Sequence, residues 1–136
     1  MEGGPRKLVG GAVEKILLVD EDESLLQLYR EESEEEGYKV ILAKDGKEAL
    51  ANFMKEKPDL VVMDIRMPVM NGIEAMTKIL GKNRHVPVIL NTAFPQYREN
   101  FMSWGAEAYI VKSSDLSELK EKIREVLAGR KKASKA

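Results

Sequence analysis

A chain of 136 residues, 43% apolar and 33% charged with a net charge of −1, is long enough for one domain with a sizeable core. That profile excludes a disordered segment and a strongly basic nucleic-acid binder. The absence of cysteine excludes disulfides, thiolate metal sites and thiol nucleophiles and fits a cytoplasmic setting. No apolar run approaches the ~20 residues needed to cross a bilayer, so no membrane insertion is expected.

The opening "MEGGPRKLVGGAVE" has two Gly pairs, a Pro and no signal-peptide core, and reads as a flexible lead-in over 1–14. A short apolar run at 16–19 predicts a first strand, which ends on Asp20, Glu21 and Asp22. Leu25, Leu26, Leu28 and Tyr29 start a helix that "EESEEE" continues as a solvated face and Gly37 ends. A second strand is expected at 40–43. Asp45 or Gly46 opens a second helix, with Ala49, Leu50, Phe53 and Met54 as its inner stripe. The third strand, 60–63, ends on Asp64. After "IRMPVM", Asn71 caps a third helix built on Ile73, Met76, Ile79 and Leu80. His85, the only histidine, falls in a loop before a fourth strand at 86–90. Pro95 suits the first turn of a short fourth helix, anchored by Phe101, Met102 and Trp104. A fifth strand at 108–111 leads to Lys112. Ser114 or Asp115 then caps a last helix carrying Leu116, Leu119, Ile123, Val126 and Leu127. The domain is expected over 15–129, with a solvated basic tail at 130–136.

Five strands alternating with five helices imply a parallel sheet covered on both faces. In such a sheet the strand ends share one edge, where ligands bind. Here that edge collects Asp20, Glu21 and Asp22, then Asp64, Thr92 and Lys112. The second strand ends blandly at Ala43-Lys44, as an outermost strand would. Two carboxylates ~5 Å apart repel by roughly 3 kcal/mol at an effective dielectric near 20, and a cation would relieve that. An all-oxygen ligand set favours a hard ion, Mg²⁺, over zinc. A carboxylate, Mg²⁺, a hydroxyl and an ammonium together suit phosphoryl transfer to an aspartate. Asp64 would be the nucleophile, Lys112 would offset phosphoryl charge and Thr92 would donate a hydrogen bond.

The acidic pair after the first strand, "MDIRMPVMNG", "NTA" and "GAEAYIVK", in that order and spacing, resemble a stand-alone receiver domain of two-component response regulators. The resemblance covers about residues 15–128. It implies the flavodoxin-like (CheY-like) doubly wound (βα)5 fold with strand order 2-1-3-4-5. It also implies Asp64 as phosphoacceptor, Asp20 and Glu21 as the acidic metal pair, and the Arg66 backbone carbonyl as a further Mg²⁺ ligand. Thr92 and Lys112 match the switch hydroxyl and the site lysine, and Tyr109 the aromatic that moves inward on activation. The partners implied are a sensor histidine kinase and a phosphotransfer protein or downstream target. No output domain is expected, nor direct DNA binding, nor enzyme activity beyond self-phosphorylation and self-dephosphorylation. Three features depart from the family: Glu21 stands where Asp is usual, Ser113 follows Lys112 where Pro is usual, and the span from Thr92 to Lys112 is about two residues short. Without a proline, the Lys112–Ser113 peptide is expected trans.

Three other readings compete with this one. A flavin- or nucleotide-binding domain needs phosphate-cradling donors after the first strand, where "DEDES" repels phosphate instead. A receiver-like module that is never phosphorylated is left open by Glu21. A phosphoaspartate hydrolase would need a large cap, for which the chain has no room.

Overall fold

The computed structural model describes residues 13–135, with side chains to 130. Five strands, β1 (Lys15–Val19), β2 (Lys39–Ala43), β3 (Leu60–Met63), β4 (Val88–Thr92) and β5 (Ala108–Val111), form one parallel sheet in the order β2-β1-β3-β4-β5. Four α-helices, α1 (Glu23–Glu35), α2 (Gly46–Glu56), α3 (Gly72–Lys82) and α4 (Ser117–Lys135), and a 3-10 segment (Pro95–Asn100) connect and cover it. The expected lead-in falls almost wholly outside the described residues.

The apolar runs form strands buried on both faces because successive side chains point to opposite sides. Leu17, Val19, Val61 and Met63 meet Phe53 of α2 and Met76 and Ile79 of α3. Ile16, Leu18, Leu60 and Val62 meet Leu26 and Tyr29 of α1 and Leu119, Ile123 and Leu127 of α4. Each such side chain contributes roughly 1.5–3 kcal/mol by leaving water. The outermost strand β2 is only half-buried over most of its length.

Helix starts follow their caps. Asp22 accepts from the Ser24 and Leu25 N–H groups, Asp45 from Glu48 and Asn71 from Glu74. Asp115 accepts the Ser117 N–H at 2.9 Å at the start of α4. The chain leaves α1 through Gly37 at φ 96, a conformation glycine adopts without steric cost.

Three boundaries differ from expectation. The β4 ladder begins two residues later than the apolar run. Pro87 has no N–H to give, and its carbonyl accepts from Val61 at 3.0 Å just ahead of the first paired residue. The strand then continues over Asn91 and Thr92, opposite Ile110 and Val111. The fourth helix is a six-residue 3-10 segment with no buried residue and no side-chain cap. The short span leaves little room for a full α-helix, and Tyr97, Phe101 and Trp104 pack this region against the core while only partly buried. Last, α4 continues through Lys135, so the basic stretch expected as a tail prolongs the helix. Lys, Arg and Ala are good helix formers and no proline intervenes. The Lys112–Ser113 peptide is trans, as are all described peptide bonds. Among the described residues, no helix is long and apolar enough to cross a membrane.

Candidate functional site

Register places the two key carboxylates. Val19 lies opposite Met63 at the ends of β1 and β3, so Asp20 and Asp64 leave the sheet side by side. The backbone fixes their departure: Asp64 N–H donates to the Val19 carbonyl at 3.0 Å and Asp20 N–H to that of Ala43 at 3.1 Å. One strand over, Lys112 N–H donates to the Thr92 carbonyl at 2.8 Å. Asp20, Asp64 and Thr92 are buried, 2%, 6% and 0% exposed.

The side chains converge on one ammonium. Lys112 Nζ lies 2.6 Å from Asp20 Oδ2 and 3.2 Å from Asp64 Oδ2. The other oxygens are held by backbone, Asp20 Oδ1 by the Asp22 N–H at 2.9 Å and Asp64 Oδ1 by the Ile65 N–H at 2.8 Å. Burial pushes the Asp64 carboxyl above the ordinary aspartate value, helped by the Asp20 charge and opposed by Lys112. Burial disfavours the Lys112 ammonium most among single causes. The Asp20 hydrogen bond and the charges of both carboxylates together outweigh it and raise the lysine above its usual value.

The loop after Asp64 is shaped by close approach. Gly72 N–H donates to the Ile65 carbonyl at 2.7 Å, and a Cβ at Gly72 would collide with the Asp64 carbonyl oxygen. The start of α3 thus rests directly on the Asp64 backbone, which only glycine permits. A Cβ at Gly46 would likewise run into Met70 of the same loop. Val69, 80% exposed, sits at φ 69 between the Pro68 carbonyl and the Met70 N–H, which are 2.7 Å apart. That is a strained turn for a β-branched residue.

Thr92 Oγ1 accepts from the Phe94 N–H at 3.3 Å. Tyr109 is already buried, at 4% exposure, its hydroxyl donating to the Phe94 carbonyl and its ring 5.9 Å from that of Phe101. An inward swing of Tyr109 therefore has no outward starting point in this conformation. The Arg66 guanidinium lies over the Phe94 ring, 4.2 Å from its centroid.

Glu21 stands apart from the buried pair. It is exposed, and with Arg66, Met67, Pro68 and Tyr97 it lines a groove of about 440 Å³ beside the site. Among the described residues, no three Asp, Glu, His or Cys side chains converge as metal ligands would. The donor set still fits a hard divalent cation. Asp20 and Asp64 are buried carboxylates sharing one lysine, and among the described residues no hydrogen-bond donor other than that ammonium reaches Asp20 Oδ2. Asp22, by contrast, is spent as the α1 cap.

The sequence reading missed one polar pair. Asn91 Nδ2 donates to Tyr29 Oη at 3.1 Å, both residues being buried between α1 and β4. Burial raises the Tyr29 phenol above its ordinary value, against the Asn91 hydrogen bond. An Asn inside "VILNT" was the available signal. His85 is exposed on the loop after α3, away from this edge.

The model of the response regulator receiver domain family matches residues 16–124, and the chain belongs to that family. It is 40% identical over 120 residues to the transcriptional regulatory protein PdtaR of Mycobacterium tuberculosis, covering 85% of this chain and 58% of that one. The chain spans about half the length of other curated relatives it matches. Among solved structures it is similar to the response regulator TrrA of Thermotoga maritima, with 41% identity, a TM-score of 0.79, and 83% and 98% of the two chains covered. TrrA has been solved with Mg²⁺-BeF and in complex with the histidine kinase ThkA. A receiver domain of Methanospirillum hungatei is 31% identical, with a TM-score of 0.85 over 90% and 99% of the chains. The molecule is a two-component receiver, a signalling protein of the phosphorelay type.

Proposed function

We propose that Asp64 is the phosphoacceptor of this receiver and takes its phosphoryl group from a phosphohistidine of a sensor kinase or from a small acyl phosphate. The observation that carries this is the buried Asp64 carboxylate joined to Asp20 through Lys112. In the reaction an Asp64 oxygen attacks phosphorus, the P–N bond of the phosphohistidine breaks, and the imidazole leaves with the bonding pair. To attack, Asp64 must release a contact. The 3.2 Å contact to Lys112 yields more readily than the 2.6 Å contact that keeps the lysine on Asp20. Lys112 then meets the phosphoryl charge, and Thr92, once freed from the Phe94 N–H, donates to a phosphoryl oxygen.

Asp20 and Asp64 would hold Mg²⁺, with Glu21 and the Arg66 backbone carbonyl at the rim. The ion would neutralise phosphoryl oxygens during transfer. Glu21 must turn inward to take part, and its length suits a contact through water. The mixed charge and buried polar site fit a cytoplasmic protein that either binds a target after switching or passes the phosphoryl group on to a phosphotransfer protein. Self-phosphorylation by acyl phosphates and self-dephosphorylation by water are the only chemistry assigned to it. The reading is tested by transfer of radiolabelled phosphate from a phosphorylated kinase domain. Label should appear on the parent protein with Mg²⁺ and be absent with a chelator or in Asp64→Asn. Full labelling of Asp64→Asn would refute it.

A further inference from the structure

Phe94 makes three contacts with three separate parts of the site. Its N–H donates to Thr92 Oγ1 at 3.3 Å, its carbonyl accepts the Tyr109 hydroxyl, and its ring carries the Arg66 guanidinium at 4.2 Å. Tyr109 is already buried, so the contacts still free to change are those to Thr92 and Arg66. Arg66 is exposed and lies two residues after Asp64, a span of at most ~7 Å along the chain. An arginine side chain can therefore reach a group carried by that aspartate.

We propose that Arg66 is a phosphoryl-responsive side chain that leaves the Phe94 ring for the phosphoryl oxygens on Asp64, and that its departure loosens Phe94 so that Thr92 is released. The proposal rests on Asp64 being the phosphoacceptor. An aromatic face is a weak partner for an exposed guanidinium, whereas a phosphoryl dianion offers charge-assisted, two-pronged hydrogen bonds. Asp64 in its free form draws the arginine weakly, because its single charge is already met by the Lys112 ammonium and each carboxylate oxygen already has one donor, Lys112 or the Ile65 N–H. Phosphorylation adds the differential interaction that a switch requires. The ring and the phosphoryl group thus compete for one cation. The Phe94 backbone passes the result to Thr92, whose hydroxyl the Phe94 N–H holds at 3.3 Å and which turns toward the same phosphoryl group as Phe94 loosens.

The competition predicts opposite signs for its two members. Binding of beryllofluoride with Mg²⁺, a stable stand-in for the phosphoryl group, is measured for the full chain by titration calorimetry. Arg66→Ala should weaken it about tenfold, and Arg66→Lys, which keeps a point charge, should recover part of the loss. Phe94→Leu removes the competing ring and should tighten binding about threefold, and that gain should vanish in the Arg66→Ala background. A merely structural role would weaken binding in both single variants and leave no such coupling. Unchanged affinity in Arg66→Ala, or weaker binding in Phe94→Leu, would overturn the proposal. Should Phe94→Leu fail to fold, the exposed Arg66 pair decides alone. A parent protein that binds no beryllofluoride overturns the phosphoacceptor reading and this proposal with it. Binding by the parent that Arg66→Ala leaves intact overturns this proposal alone.

Discussion

Replacing Lys112 by Met keeps most of the length of the side chain and removes its charge. The ammonium touches Asp20 Oδ2 at 2.6 Å and Asp64 Oδ2 at 3.2 Å, so those two oxygens can be no more than 5.8 Å apart, the sum of the two contacts. At an effective dielectric near 20 two unit charges at that distance repel by about 3 kcal/mol. Removing one member of a buried ionic set costs about 3–5 kcal/mol. The three side chains are 17%, 3% and 8% exposed, so water screens little of this. Lys112→Met should therefore lose about 3–5 kcal/mol of unfolding free energy in urea at pH 7 without divalent metal. The sign with pH follows from linkage: burial already raises the folded Asp64 carboxyl, and loss of the opposing ammonium raises it further. The deficit is thus full above the folded-state value of Asp64 and shrinks as pH falls from there toward the ordinary aspartate value. Lys112→Met/Asp64→Asn, with one charge left in the site, should regain most of the loss. Mg²⁺ should stabilise Lys112→Met more than the parent, because the ion no longer displaces an ammonium. A Lys112→Met protein within about 0.5 kcal/mol of the parent at pH 7, well inside the range expected of surface changes, would refute the claim that one lysine holds two buried carboxylates together.

Three further outcomes follow from the same geometry. Gly72→Ala should cost about 1–3 kcal/mol by overpacking and slow phosphorylation, since its Cβ collides with the Asp64 carbonyl; urea melts and labelling rates check both, and a neutral result would mean that α3 does not rest on Asp64. Asp64→Asn should be more stable than the parent at pH 7. The raised Asp64 carboxyl contributes stability below the ordinary aspartate value that is lost as pH rises through its folded-state value, so the advantage should shrink toward pH 3. Tyr29→Phe and Asn91→Leu should each cost about 1–3 kcal/mol by leaving a buried partner unsatisfied, and the double variant less than the sum; strict additivity would show that the 3.1 Å bond carries no coupling.

Much of this was legible in the sequence for physical reasons. Apolar runs mark strands buried on both faces, so the four-to-five residue blocks gave the sheet. Acidic or polar residues placed straight after those blocks gave Asp20, Asp64, Thr92 and Lys112 a common edge. The less legible parts depend on non-local contacts. Pro87 delays β4 because the ladder needs an N–H. The Thr92–Lys112 span yields a 3-10 segment whose backbone preference is too weak to read from six residues. Asp20 and Glu21 look equivalent in sequence, yet one is buried beside the lysine and the other exposed, because Asp20 takes its place from β1 and Glu21 lies beyond it. The part played by Phe94 was invisible, since two of its three contacts use its backbone rather than its side chain.

The central claim is that Asp64 takes the phosphoryl group. Incubation with a small acyl phosphate and Mg²⁺, followed at once by peptide-resolved mass spectrometry, tests it most directly. The account predicts a single phosphoryl group on the peptide carrying Asp64, absent without Mg²⁺ and absent in Asp64→Asn. A phosphoryl group located on any other residue, or none on a folded protein that has bound Mg²⁺, would contradict it.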